Sequence, residues 1–153
     1  MGIASYYTSD YYMAKTCLKA TIVLEEDKNR QFYACFFLSH IYKQLCNNEK
    51  ACRYLAQPFV LCKNNYHKSI AYHQHARVAD TIGELDGAIE SFKISIAHFL
   101  QHLSHTEADV MAGVVKNEEL GNIYFNVAIT LCKFKNKDWD MIDKYKKMSA
   151  LCG

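Results

Sequence analysis

The sequence predicts an all-α chain of about seven helices packed as antiparallel pairs. Three observations carry that expectation. Apolar residues recur at helical spacing along nearly the whole chain. One proline and six glycines in 153 residues are too few for the many turns of an all-β sandwich or barrel. Short polar breaks separate the apolar stripes, and breaks of about two to five residues make successive helices antiparallel neighbours.

The stripes can be read in order. Met13, Cys17, Ala20 and Leu24 form one; Phe32, Cys35, Phe36, Ser39 and Tyr42 form another. Leu85, Ile89, Phe92, Ile96, Phe99 and Leu103 form a third, which runs for about five turns. The breaks are Asp27-Lys28-Asn29, Asn47-Asn48, Lys63-Asn64-Asn65, Gly83-Glu84 and Asn136-Lys137-Asp138. Several of them place an Asn or Asp where a helix needs an N-cap.

Composition narrows the function classes. Half the residues are hydrophobic and 22% are charged, which favours a folded chain over a disordered one. Lys and Arg exceed Asp and Glu by 18 to 16, a net charge of +2 that gives no reason to expect nucleic acid as a direct partner. The longest purely apolar run, Phe32 to Leu38, is far too short for a membrane span. The N-terminus lacks the basic and apolar regions of a signal peptide. Its Met1-Gly2 start has Tyr6 where myristoylation wants serine or threonine. Seven cysteines with no C-x-x-C pair are expected to be reduced, mostly buried thiols of a cytoplasmic protein.

The helices also repeat. In the segment Gly83 to Phe92, a polar turn leads into a helix where small Ala88 is followed by aromatic Phe92 and then by small Ser95. Small residues let two helices approach, and the ring fills the gap beside them. Stepping back 37 residues gives Ala51, Leu55 and Pro58; a second equal step gives Ala14, Leu18 and Thr21. Twelve residues ahead of Ala88, Ala51 and Ala14 stand Ala76, Ser39 and Gly2, all small. A fourth unit is looser: Asp138-Trp139-Asp140-Met141 leads into Tyr145 and Met148, with a step of 53 from Ala88 to Met141. The segment Thr106 to Lys116 absorbs part of the excess, as an extended helix or a loop with a helical turn.

At these residues the sequence resembles the tetratricopeptide repeat, whose helix pairs carry a small–aromatic–small signature in the second helix. The resemblance implies one domain over 1–153: a right-handed superhelix of about 3.5 to 4 repeats, at 1–29, 30–65, 66–116 and 117–153. The departures are a step longer than usual by about a turn, Pro58 in place of a small residue, where it should kink the helix, and no alanine in the fourth unit. In that register only Met1 to about Tyr7 remains of the first helix, and no helix follows Met148-Ser149-Ala150-Leu151. Such ends lack a polar cap. They suggest a piece of a longer array, or a homodimer formed through Tyr6, Tyr7, Tyr11 and Tyr12.

In the implied superhelix, the first helix of each pair lines the concave face. Tyr33, Phe36, His40 and Lys43 would lie there in repeat two, His73, Arg77 and Asp80 in repeat three, and Asn126, Thr130 and Lys133 in repeat four. This mixture suits an extended peptide or a helix from a protein partner, with a carboxylate meeting Lys43 or Arg77. The expected function is therefore a non-enzymatic peptide- or protein-binding scaffold with no cofactor. The Lys and Asn pattern of relatives that capture a C-terminal carboxylate is absent. An alternative is the peptide-sensing half of a bacterial transcriptional or signalling regulator, motivated by the truncated first helix. A third reading is metal binding by His98, His102 and His105, at i, i+4 and i+7 on one helix face. No carboxylate is in phase to complete that site, and a polar edge beside the Ile96–Phe99–Leu103 stripe accounts for the same spacing. No phosphate-cradling loop is present. The lysines at 133, 135, 137, 144, 146 and 147 are diluted by Asp138, Asp140 and Asp143 and read as solvated surface.

Overall fold

The computed structural model is all-helical, with eight helices and no strand among the described residues. It describes the backbone of residues 2–61 and 64–153, and the side chains of residues 11–55 and 64–153. Contacts concentrate in two compact units, Met1–Cys62 and Lys63–Gly153. The first contains α1 (Gly2–Leu24), α2 (Lys28–Gln44) and α3 (Asn48–Leu61). The second contains α4 (Asn65–Thr81), α5 (Leu85–Leu103), α6 (Glu107–Met111), α7 (Glu118–Leu131) and α8 (Trp139–Cys152). Seven of these helices are long. The eighth, α6, is the helical turn of the segment between Thr106 and Lys116.

The polar breaks cap the helices. Asp27 Oδ1 accepts from the backbone N–H of Asn29 and Arg30 at the start of α2. Asn64, Asn117 and Asp138 do the same for α4, α7 and α8. Thr106 and Asp109 form a reciprocal capping box on α6. Each cap satisfies donors that the first helical turn leaves without partners.

The interval of 37 residues is visible in the turns. After α2, the N–H of Asn47 donates to the Tyr42 carbonyl at 2.8 Å, with Cys46 left-handed at φ 61. After α4, the N–H of Glu84 donates to the Ala79 carbonyl at 2.9 Å, with Gly83 left-handed at φ 86. These are the same C-terminal cap, one built on glycine and one on cysteine. The small residues meet as their spacing predicts. Ser39 Oγ donates to the Ala51 carbonyl at 2.7 Å, and both residues are buried. Ala76 and Ala88 are fully buried.

In the second unit, α5 lies antiparallel to α4. Ser69 and Ser95 each donate a hydroxyl to the other's carbonyl, at 2.8 and 2.7 Å. Phe92 and Phe99 extend from α5 into a core with Tyr124, Val127 and Met148. A comparable close approach joins α7 to α8. A Cβ on Gly121 would stand 3.2 Å from both Cys152 Cβ and the Ser149 carbonyl oxygen. Ser149 Oγ donates to the Gly121 carbonyl at 2.8 Å.

The first repeat is not a helix pair. The expected half-helix ending near Tyr7 is part of α1, which runs unbroken from Gly2 to Leu24. No glycine, proline or asparagine interrupts residues 3–24, so nothing stops the helix. Gly2 and Ala14 then lie about 18 Å apart along one axis and cannot face each other. Pro58 lies inside α3, and its side chain is outside the described residues, as are those of Tyr6 and Tyr7. Of the other two N-terminal tyrosines, Tyr11 is half-buried and Tyr12 is exposed. No helix among the described residues is long and apolar enough to cross a membrane.

The two equivalent turns make opposite predictions. No atom lies within 4 Å of a Cβ built on Gly83, so Gly83→Ala is penalised by backbone conformation alone. It should lower stability by about 1 kcal/mol, and Cys46→Gly should raise it by a similar amount. Urea unfolding midpoints of the two variants should move in opposite directions; shifts of one sign would contradict the shared turn.

Candidate functional site

Two helices of the second unit, α4 and α7, are linked by three side-chain pairs, the last made by Lys133, two residues past the end of α7. Tyr66 Oη donates to Glu119 Oε2 at 2.8 Å. Asn126 Nδ2 lies 2.9 Å from His73 Nε2. Lys133 Nζ donates to Asp80 Oδ2 at 2.8 Å. Within each pair the residues are 53 apart, and successive rungs are seven apart, about two helical turns. Only parallel helices in register give this pattern, because antiparallel ones would reverse the order of one partner set. The interval equals the step from Ala88 to Met141 read between the second helices.

His73 is the middle rung. The amide N–H of Asn126 is placed to donate to Nε2 when the imidazole is neutral with its proton on Nδ1. Burial lowers its pKa, and the nearby Arg77 charge lowers it further, to about 4. The ring also packs against Phe92, with centroids 5.7 Å apart. Beside it a pocket of about 110 Å³ is lined by Ile70, His73, Phe99, Glu119, Asn122 and Ile123. Arg77 sits between the His73 and Asp80 rungs, and among the described residues no carboxylate pairs with it. Asp80 Oδ1, the oxygen not held by Lys133, is buried without a partner.

Of the ten residues expected on a binding face, five form this surface: His73, Arg77, Asp80, Asn126 and Lys133. Thr130 does not. It is 1% exposed, on the arc of α7 that carries Ile123 and Val127 into the core. Tyr33, Phe36, His40 and Lys43 belong to α2, in the first unit. There Tyr33 stacks on Phe37 at 6.1 Å and meets Phe32 edge-on at 5.3 Å. Phe36 stacks on Phe32 at 6.2 Å. His40 is half-buried, with Nε2 3.5 Å from Gln44 Nε2, and Lys43 is half-buried one turn further along.

The three histidines proposed as metal ligands do not share a face. Ser104 turns left-handed at φ 57 and ends α5, so His105 leaves the helix and pairs with Asp109 at 3.2 Å. His98 Nδ1 lies 3.2 Å from Asn65 Oδ1, and its ring stacks on Tyr72. His102 packs on Tyr66 at 5.0 Å and edge-on against Phe99. Among the described residues no three His, Cys, Asp or Glu side chains gather as a metal site. In the C-terminal basic segment, Lys133 is held by Asp80 and Lys144 by Glu107.

Two features escaped the sequence reading. The Tyr66–Glu119 rung was legible as the same 53-residue shift applied one heptad earlier. The other is a cleft of about 260 Å³ between α5, α6, α7 and α8, lined by Lys93, Ile96, Ala97, Leu100, Glu107, Tyr124 and Tyr145. Tyr124 Oη is buried without a partner, and burial pushes its phenol well above the usual range. No family model matches the chain, and neither a curated protein nor a solved structure matches it.

The His73 shift fixes a pH dependence. The unfolded imidazole takes a proton near pH 6.5 and the folded one only near pH 4. Between these values the unfolded chain binds more protons, so stability is complete above pH 6.5 and falls as the pH drops toward 4. The loss from this residue amounts to about 3 kcal/mol at most. Burial lowers His67 and His98 in the same direction, with Lys68 adding to the effect at His98. His73→Gln should therefore flatten the pH–stability profile without abolishing its slope. An unchanged slope by chemical denaturation would contradict the assignment.

Proposed function

We propose that the chain is a tetratricopeptide-like helical repeat module that binds an extended segment of a protein or peptide and performs no chemistry. In this reading the helix pairs form a right-handed superhelix, with α4 and α7 on its inner face. The single observation that carries the proposal is the parallel α4–α7 ladder at a 53-residue interval, with a pocket opening beside its middle rung. Parallel first helices are what successive helix pairs need if each is to present the same surface to a ligand.

The chemistry of the face selects the ligand. Lys133 is neutralised by Asp80 and His73 is uncharged, which leaves the Arg77 guanidinium for a ligand carboxylate. Asn122 is exposed at the pocket rim and can hydrogen-bond a peptide backbone. Ile70, Phe99 and Ile123 offer an apolar floor for a small side chain. The regulator alternative rested on a half-helix at the start of the chain, where α1 is instead one helix of 23 residues.

A fluorescence-polarisation screen of acidic and neutral peptides against the whole chain tests the proposal. An acidic peptide should bind, and Arg77→Gln should weaken it about tenfold, equivalent to about 1.4 kcal/mol. Exposed Lys135→Gln should have no effect. Binding indifferent to both Arg77→Gln and Asn122→Ala, or no binding at all, would refute it.

A further inference from the structure

In the first unit, three lysines from two helices converge on one buried tyrosine. Lys15 and Lys19 stand one turn apart on α1, and Lys50 lies in the first turn of α3. Their ammonium nitrogens lie 5.3, 5.6 and 5.4 Å from the centroid of the Tyr42 ring, which α2 carries. Tyr42 is buried, and Tyr54 covers one face of its ring in a parallel stack at 5.6 Å. The three ammonium groups therefore gather around what remains of a single side chain.

Contact with a ring explains one lysine well, since the face of a π-system attracts a cation. Lys19 has a further tie, a hydrogen bond to the Tyr42 phenol oxygen, but gathering three cations around one ring still sets like charges against one another. A carboxylate would be the ordinary remedy, and none among the described residues pairs with Lys15, Lys19 or Lys50. Three of the unit's acids are engaged elsewhere: Glu49 with Arg53, Glu25 with Arg30, and Asp27 with the start of α2. The whole net charge of the chain also falls here: residues 1–62 hold seven basic and five acidic side chains, and the remainder is balanced.

We propose that Lys15, Lys19 and Lys50 form a binding site for a phosphate-class oxyanion, seated on their ammonium groups above Tyr42. A tetrahedral anion with several oxygens can engage three separate donors at once, which a chloride cannot do with equal geometry. Burial alone would raise the Tyr42 phenol. Contact with Lys19 and the charges of Lys19, Lys50 and Lys15 outweigh burial and hold it below its usual value, as expected where positive potential concentrates. The site uses all three helices of the first unit, so an anion there would also tie α1 to α3.

The probe is inorganic phosphate titrated into the whole chain at constant ionic strength and followed by NMR, with sodium chloride as the control. Saturable shifts at Tyr42 and the three lysines, at one phosphate per chain and absent with chloride, are expected. Lys15→Gln with Lys50→Gln should weaken binding at least tenfold. Lys15→Arg with Lys50→Arg, which keeps the charge, should stay within about threefold of wild type and so separates loss of the site from loss of the fold. A parallel titration with phosphoserine identifies the source: tighter binding than phosphate marks a monoester ligand, and weaker binding marks the free ion. Shifts no larger than those from chloride, or a glutamine double variant that binds like wild type, would overturn the proposal.

Discussion

The close approach of α4 to α5 is the constraint on which the second unit depends. Side chains no larger than serine and alanine stand at both ends of that contact, where Ser69 meets Ser95 and Ala76 faces Ala88. Larger residues there would push the helices apart and pull Phe92 out of its place. The stripe of α5 that carries Ala88 and Ser95 also carries Phe92 and Phe99, which join Tyr124 and Val127 of α7 in one core. The position of α7 against α5 then fixes its separation from α4. Their backbones stay far enough apart that long side chains are needed to bridge them.

The candidate surface follows from that separation. Tyrosine to glutamate, histidine to asparagine and lysine to aspartate are pairs long enough to cross the gap. An exposed hydrogen bond or ion pair contributes about 1 kcal/mol or less, so the rungs set register more than they add stability. They also remove charge from the surface they build, since Lys133 and Asp80 neutralise each other and His73 stays unprotonated. The rest of that surface is Arg77, the Asn122 amide and a small apolar pocket.

Much of this was legible in the residues. The 37-residue interval marked Ser39, Ala51, Ala76 and Ala88 as contact positions, and all four are buried. Asn and Asp in the breaks marked the helix starts, because caps are local and depend on a single side chain. The readings that failed had nonlocal or backbone causes. The histidine face assumed that α5 continued to His105, but Ser104 adopts a left-handed conformation that sequence spacing does not announce. Thr130 looked like a surface residue from its register, yet α7 is covered over a wide arc and draws it inside. The N-terminal pair assumed a break near Tyr7 that no residue there supplies. The lysine cluster around Tyr42 was invisible for another reason: Lys15 and Lys50 are 35 residues apart, and only packing brings them to one ring.

The most direct measurement of the central claim, that α4 and α7 are parallel equivalents shifted by 53 residues, is a set of nuclear Overhauser contacts in solution. The Tyr66 ring should lie near the Glu119 side chain, the His73 ring near the Asn126 amide, and the Asp80 β-protons near the Lys133 ε-protons. Contacts from Tyr66 to Lys133, or none between the two helices, would contradict it.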